Sequence, residues 1–200
     1  SGWGSRAVGL VGAVVLDGLV PDPSNRMHPT AWFGNWVAWL ERHLWADSTA
    51  RGTTFTVVAL APPAMLGIVA ELATRRHPVA RAVATSVTGW VVIGTHSLAS
   101  EGRAMGESLA DDDLAAARTR LPHLCGRVPT DMPESELARG TIESLAENTS
   151  DSGVASLWWG AVAGMPGMLV HRGINTLDAM IGHHNSRYEN FGRTAARLDD

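Results

Sequence analysis

An all-α, polytopic membrane protein is the fold class that three features of this 200-residue sequence predict. Long uncharged runs come first. Nineteen residues separate Arg51 from Glu71, nineteen separate Arg81 from Glu101, and twenty separate Asp151 from Arg172, all without Asp, Glu, Lys or Arg. A helix needs roughly 20 mostly apolar residues to cross the hydrocarbon core, so each run is long enough. The second feature is segregation: mean hydropathy is only +0.01, an average over uncharged runs and densely charged links. Third, the links between runs carry helical rather than alternating periodicity. The expected organisation is a single membrane-embedded helical domain over residues 1–200. Its apolar segments lie at about 7–20, 52–70, 82–100 and 152–171, with a polar helical region at 101–151 and a motif-bearing segment at 172–200.

In chain order, AVGLVGAVVL lies between Arg6 and Asp17 and looks like a signal-peptide core. No small-x-small cleavage site precedes a polar region, and Pro21-Asp22-Pro23 stops any helix. A short buried or interfacial anchor helix fits better than a cleaved signal. From Trp32 to Trp45, Trp32, Trp36 and Trp39 with Val37, Leu40 and Leu44 recur at helical spacing. That stripe suits either a membrane interface or an ordinary core. Pro62-Pro63 and Pro166-Gly167 are breakers inside two of the runs, tolerated where neighbouring helices re-satisfy the backbone. Arg75, Arg76 and Arg81 crowd the link between the second and third apolar segments, which the positive-inside rule assigns to the cytoplasm. Full spans would then put 101–151 outside. Either the first segment does not span, the last is broken or re-entrant, or the charge rule misleads; the sequence leaves all three open.

Net charge is −4, which argues against a nucleic-acid partner. All 16 positive charges are arginine. Without lysine there is no Schiff-base chemistry and no Walker A loop. The lone Cys125 excludes an intramolecular disulfide framework. Asp111-Asp112-Asp113 is placed to open the helix LAAARTRL, which Pro122 ends. In ESELARGTIESLAEN, Glu136, Glu143 and Glu147 fall within about 40° on a helical wheel, with Leu137, Ile142 and Leu145 opposite. This stripe is either a solvated acidic face or, with Asp151 just beyond, a set of hard oxygen ligands for Mg²⁺. Asn148-Thr149-Ser150 matches a glycosylation sequon, too short a pattern to carry weight. Asn175-x-x-Asp178 reads equally as an N-cap with its acidic partner or as a ligand pair. His183-His184 point to different helix faces. Arg187, Arg193 and Arg197 gather three guanidinium groups suited to bidentate capture of phosphate or carboxylate. Asp199-Asp200 is followed by no capping signal, and further protein is expected beyond it.

Taken in order, Asp22, Pro23, His28 and Pro29 (DP-x4-HP), EGRAM at 101–105, IESLAENTSDSGVAS at 142–156, GMPG at 164–167, NTLDAMIG at 175–182, RYENFG and ARLDD resemble the cobinamide-phosphate synthase family (CobD/CbiB). The likeness covers nearly the whole chain, as roughly the first two thirds of a family member. ES-x2-EN-x2-D together with NTLD-x-M-x-G is its specific part. Two departures are Gly126-Arg127-Val128-Pro129 where the family usually shows GRDT, and Ser152 between Asp151 and Gly153.

The resemblance implies an integral protein of a bacterial cell membrane. It also implies ATP- and Mg²⁺-dependent amide ligation in cobalamin biosynthesis. The acid would be the propionate of cobyric acid, the amine aminopropanol or its phosphate, and other cobalamin-pathway enzymes are candidate partners. A carboxylate is a poor acyl donor, so phosphorylation would make amine attack feasible, and phosphoryl transfer is mostly positioning plus charge neutralisation. On this reading Glu143, Glu147 and Asp151 hold the metal. Arg103, Arg187 and Arg197, with Asn148 and Asn175, bind phosphate or substrate carboxylates. Glu143, Glu147, Asp178 and His28 belong to the catalytic set, Asp178 or His28 as amine-proton acceptor. The competing classes are a membrane transport or binding protein and a scaffold for pathway enzymes. Transporters place ionisable groups within their spans, whereas these runs contain only His96 and His171.

Overall fold

The computed structural model describes residues 2–20, 28–125 and 128–200. It is 83% helical with no strand among them. Three helical stretches are long and apolar enough to cross a membrane: Thr49–Thr74, Pro78–Ala110 and Glu134–Ile181. Large apolar side chains on them, including Val57, Leu66, Val69, Val83 and Trp158, face outward. Apolar exposure on that scale marks a lipid-facing surface rather than a water-facing one.

Helix α1 (Gly2–Leu19) buries Ser5, Gly9, Ala13 and Asp17, one residue per turn. This small-residue stripe lies against α4 (Pro78–Ile93). A Cβ on Gly9 would sit 2.8 Å from the Ala82 carbonyl oxygen, and Gly89 of α4 is pressed by Ala13. Successive contacts advance along both helices together, so α1 and α4 run parallel. Small residues permit this approach, which is how helices associate where hydrophobic burial supplies no drive. Ser86 Oγ adds a 3.0 Å bond to the Gly9 carbonyl. The expected N-terminal anchor is thus a helix packed along the bundle, not an interfacial one.

Helix α2 (Pro29–Leu44) is opened by His28, whose ring accepts from Thr30 N at 3.2 Å. Of the tryptophan stripe, Trp32 and Trp39 are exposed, while Val37 and Leu40 enter the core beside Phe55, Leu177 and Phe191. Helix α3 (Thr49–Thr74) runs through Pro62 and Pro63 without ending. Asp22 and Pro23 of the DP-x4-HP motif, and Gly126 and Arg127, lie outside the described residues.

Two apolar runs depart from the expected straight spans. The run 82–100 breaks at Gly94, whose φ of 61° closes α4 and opens α5 (Thr95–Ala110). Asp17 caps α5 from below, accepting from the Thr95 hydroxyl and from His96 N at 3.0 Å. The run 152–171 breaks at Gly164 (φ 71°, ψ −155°) inside α8 (Ser156–Ile181). Its two arms, 156–163 and 165–181, fold back on each other. Ser156 Oγ lies 3.5 Å from His171 Nδ1, although fifteen residues of straight helix measure about 22 Å. A Cβ on Gly160 would meet Met168 Cγ at 3.0 Å, and one on Gly167 would meet the Trp159 carbonyl oxygen at 2.7 Å. The last apolar run is therefore a helical hairpin, one of the three arrangements left open by the sequence. Its second arm packs antiparallel to α3: Gly67 abuts Pro166, Gly173 abuts Leu60, and Phe191 just beyond meets Phe55 at 4.9 Å.

The polar region forms a cap over one end of this bundle. Helix α6 (Leu114–Arg120) is capped by Asp113, which accepts from Ala116 N at 2.9 Å. A 3₁₀ turn (Leu121–His123) follows at Pro122. Helix α7 (Glu134–Asn148) leads through a π-helical segment (Thr149–Ala155) into α8. Met105, Ala117, Leu121 and Leu137 make a separate small core for this cap. Helix α9 (Arg193–Asp199) closes back on α8 and α3.

Candidate functional site: a polar cleft at the open end of the hairpin

Because α8 turns at Gly164, residues about equally far before and after the turn meet at the other end. Asp151 and Asp178, thirteen and fourteen residues from Gly164, come close enough for their charges to interact, next to the capping helices that follow α5. There a cleft of about 500 Å³ is lined by Ser97, Glu101, His123, Asn148, Ser152 and Arg172. Each polar wall has a local cause. Ser144, buried on the inner face of α7, donates to the Leu124 carbonyl at 2.5 Å. Asn148 Nδ2 donates to Ser144 O and Oγ at 2.8 and 3.0 Å, and Ser152 Oγ donates to Asn148 O at 2.6 Å. This ladder crosses into the π-helical segment, a wide turn of the kind found at functional sites. Glu101 accepts from Arg120 at 3.2 Å and faces His123 Nδ1 at 3.3 Å. Arg172 reaches Asn175 Oδ1 at 3.3 Å from the second arm.

Beside the cleft stand three carboxylates. Asp199 is hydrogen-bonded by Asn175, and burial first, then the charges of Asp178 and Asp151, raises its carboxyl above the ordinary range. Asp178 lies within the field of Asp151, Asp200 and His183. Arg172 also borders a second cavity of about 460 Å³ between α2, α3, α4 and α8, walled by Trp32, Phe33, Trp36, Pro63 and Leu169. One guanidinium therefore separates a polar chamber from an aromatic, apolar one.

The expected site residues divide between these places. Asn148 lines the cleft, and Asp151, Asn175 and Asp178 stand beside it. Glu143 and Glu147 are exposed on the outer face of α7, Glu143 with Arg139 at 3.8 Å. The expected triad of Glu143, Glu147 and Asp151 is not assembled, since no group of three His, Cys, Asp or Glu side chains among the described residues is spaced to hold a metal. The reason is periodicity: α7 turns Leu137, Gly140, Thr141 and Ser144 inward, which sends the glutamates out. Asn175 and Asp178 lie within α8, so they are not a helix-opening pair. His28 caps α2. Arg187 bonds Glu41 at 2.9 Å and lies over Trp45 at 4.7 Å, tying the 182–192 link to α2. Arg103 and Arg197 are exposed and carry no ion pair among the described residues. Sequence reasoning passed over Arg172, Ser152, Ser144 and Glu101; Glu101 stood within the EGRAM motif, and Arg172 ended an apolar run.

A family model described as CobD/Cbib protein matches residues 10–200. The chain belongs to the CobD/Cbib family. Among relatives named cobalamin biosynthesis protein CobD, that of Mycobacterium tuberculosis is 42% identical over all of this chain and 63% of its own length. Those of Brucella anthropi and Rhodobacter capsulatus are 37% and 36% identical, over 94% and 86% of this chain and 61% and 56% of their own lengths. The chain thus spans less than two thirds of these relatives. No solved structure matches. In this CobD/Cbib chain Asn148 of the ES-x2-EN-x2-D motif lines the cleft from the first arm, and Arg172, three residues before NTLD, lines it from the second.

Proposed function

We propose that this CobD/Cbib chain acts in cobalamin biosynthesis, in the membrane, as the core of an ATP-dependent ligase. Such an enzyme joins the propionate of a corrinoid acid, cobyric acid, to aminopropanol or its phosphate. The observation that supports the reading is the hairpin, which brings Asn148 and Ser152 of the first arm and Arg172 of the second to one polar cleft, with Asn175 of the NTLD motif bonded to Arg172.

The residues divide the work as follows. Arg172, fixed by Asn175, neutralises an anionic group of a substrate entering the cleft. Asn148 and Ser152, held by their ladder, orient it by hydrogen bonding, and exposed Arg103 and Arg197 draw anionic substrates to the rim. Asp178 is the candidate acceptor of the amine proton, because its carboxylate stands beside the cleft on the arm that bears Arg172 and Asn175. The aromatic cavity across Arg172 suits the apolar face of a large ring whose carboxylate reaches the guanidinium. ATP with Mg²⁺ supplies the phosphoryl group that makes the carboxylate a competent acyl donor. No three carboxylates among the described residues are spaced to hold a metal, so Mg²⁺ would be carried chiefly by the nucleotide phosphates, with one or two carboxylates such as Asp151 as its protein ligands.

Sidedness follows from the arginines. At the hairpin-turn end are Arg6, Arg75, Arg76 and Arg81. Arg103, Arg118, Arg120, Arg139, Arg187, Arg193 and Arg197 belong to the cleft end. Counted this way, the positive-inside rule puts the cleft in the cytoplasm of the bacterial cell, with ATP.

Full-length protein in detergent, supplied with cobyric acid, aminopropanol phosphate or aminopropanol, and ATP with Mg²⁺, is expected to form amide with matching release of phosphate. No turnover, with binding of another pathway enzyme retained, would replace the ligase by the scaffold reading.

A further inference from the structure

A break in a helix orphans the last carbonyls before it and the first N–H groups after it, and within a bilayer nothing but protein can satisfy them. At Gly164 that task falls to side chains from two distant helices. Arg6 of α1 donates through Nη1 to the carbonyls of Ala161 at 3.1 Å and Val162 at 3.5 Å, the closing residues of the first arm. Its Nη2 reaches Glu71 Oε1 at 3.0 Å. Glu71, near the end of α3, turns its other oxygen to Met165 N at 3.3 Å, the opening of the second arm. Arg81, from the start of α4, donates to Glu71 Oε1 as well. All three side chains are mostly buried, at 13–17% exposure. The signs match the helix dipoles: a cation closes the arm whose carbonyls face it, and a carboxylate opens the arm whose N–H faces it.

We propose that Arg6 and Glu71 are positioning residues. They clamp the hairpin turn and set the register between the arm bearing Asn148, Asp151 and Ser152 and the arm bearing Arg172, Asn175 and Asp178. The clamp stands about 12–24 Å from those residues, eight to sixteen helical steps away. A slip of one residue shifts one wall of the cleft by about 1.5 Å against the other, and misplacement on that scale costs on the order of a hundredfold in rate. The consequence for rate rests on the ligase reading; the clamp itself does not.

The test uses the full-length protein in membranes with Cys125→Ser, Ser156→Cys and His171→Cys, and scores disulfide formation between the arms. A separate Thr53→Cys/Thr194→Cys pair, whose native hydroxyls are 2.8 Å apart, reports that α3 and α9 remain docked. Arg6→Ala and Glu71→Ala are expected to cut the arm-to-arm cross-link several-fold while the α3–α9 cross-link stays. In the chain with native Ser156 and His171, ligation is expected to fall on the order of a hundredfold.

The exchange Arg6→Glu/Glu71→Arg discriminates a clamp from a plain ion pair. It restores the pair yet sets a carboxylate against carbonyls and a guanidinium against an N–H, so no rescue is expected; recovery of wild-type cross-linking would overturn the proposal. If Glu71→Ala loses both cross-links the chain has unfolded, and Glu71→Gln decides. Wild-type arm cross-linking in Glu71→Gln would overturn the proposal; a reduced yield with α3–α9 intact supports it. A wild-type chain that cross-links but does not ligate removes the ligase reading and leaves the clamp standing.

Discussion

Arg172 and Asn148 face each other across the cleft for different reasons. Asn148 is held by two bonds to Ser144, so Asn148→Ala removes both a cleft donor and a strut of α7. We expect a stability loss of about 1 kcal/mol, the net value of a typical hydrogen bond, with a much larger loss of ligation. Urea or thermal unfolding in detergent beside the ligation assay separates the two. Arg172→Gln is expected to raise KM for the anionic substrate with little change in folding; unchanged KM would remove Arg172 from the binding role. Asp199 offers a pH test. Its raised carboxyl means that the contribution of this group to stability is present below the ordinary carboxylate range and is lost as pH rises through the raised value. Asp199→Asn is therefore expected to raise the neutral-pH Tm and to leave the Tm at acidic pH little changed. Asn148, Asp151, Asn175 and Asp178 were legible from the sequence as motif members. Arg172 was not, because a charge ending an apolar run gives no sign of which cavity it borders. The glutamate stripe was legible as a stripe, but only α7's packing decides which face is wet.

At the element scale, Gly164 is the residue on which the site depends. Its φ of 71° is unfavourable for residues with a Cβ, and an added Cβ would sit 2.7 Å from Glu71 Oε2 and 2.9 Å from Arg6 Nη2. Gly164→Ala is expected to cost about 1–3 kcal/mol, from backbone strain and from displacing the clamp, measured as a fall in Tm. A neutral outcome would mean that the turn is made elsewhere. Hydropathy gave the length of the run 152–171 and composition gave its breaker, GMPG. Neither reports direction: a kinked span and a hairpin have the same residues, and the choice lies in whether Gly160 can accept Met168 and Gly167 can accept Trp159. The break at Gly94 was hidden for a related reason. A left-handed glycine is silent in a hydropathy window, and its helix-opening partner Asp17 is 77 residues away in sequence. The all-helical class, the polar cap and the α3 span were readable because they depend on local composition.

At the scale of the whole molecule, the bundle has two ends with different chemistry. One holds the hairpin turn and a buried cluster of Arg6, Glu71 and Arg81; the other holds the capped cleft. The sequence left the inconsistency between the Arg75–Arg81 link and a cytoplasmic ATP site open to three explanations, and the broken last run is the one the fold displays. With the hairpin in place, the arginines of the cleft end outnumber those of the turn end. Cys125, half-buried in the cap, is expected to react with thiol reagents only when they reach the cytoplasmic face; labelling confined to the outer face would reverse the assigned orientation.

The cleft exists only if the last apolar run folds back to bring Arg172 to Asn148 and Ser152, and a distance measures that directly. Spin labels placed by Val154→Cys and Ala179→Cys, both exposed positions, in a Cys125→Ser full-length chain in lipid would stand about 38 Å apart along one straight helix. Arms packed side by side at roughly 10 Å between axes bring them within about 25 Å. Pulsed electron-electron resonance is expected to give the short distance as the dominant population. A distribution centred near the straight-helix value would contradict the hairpin, and with it the single cleft.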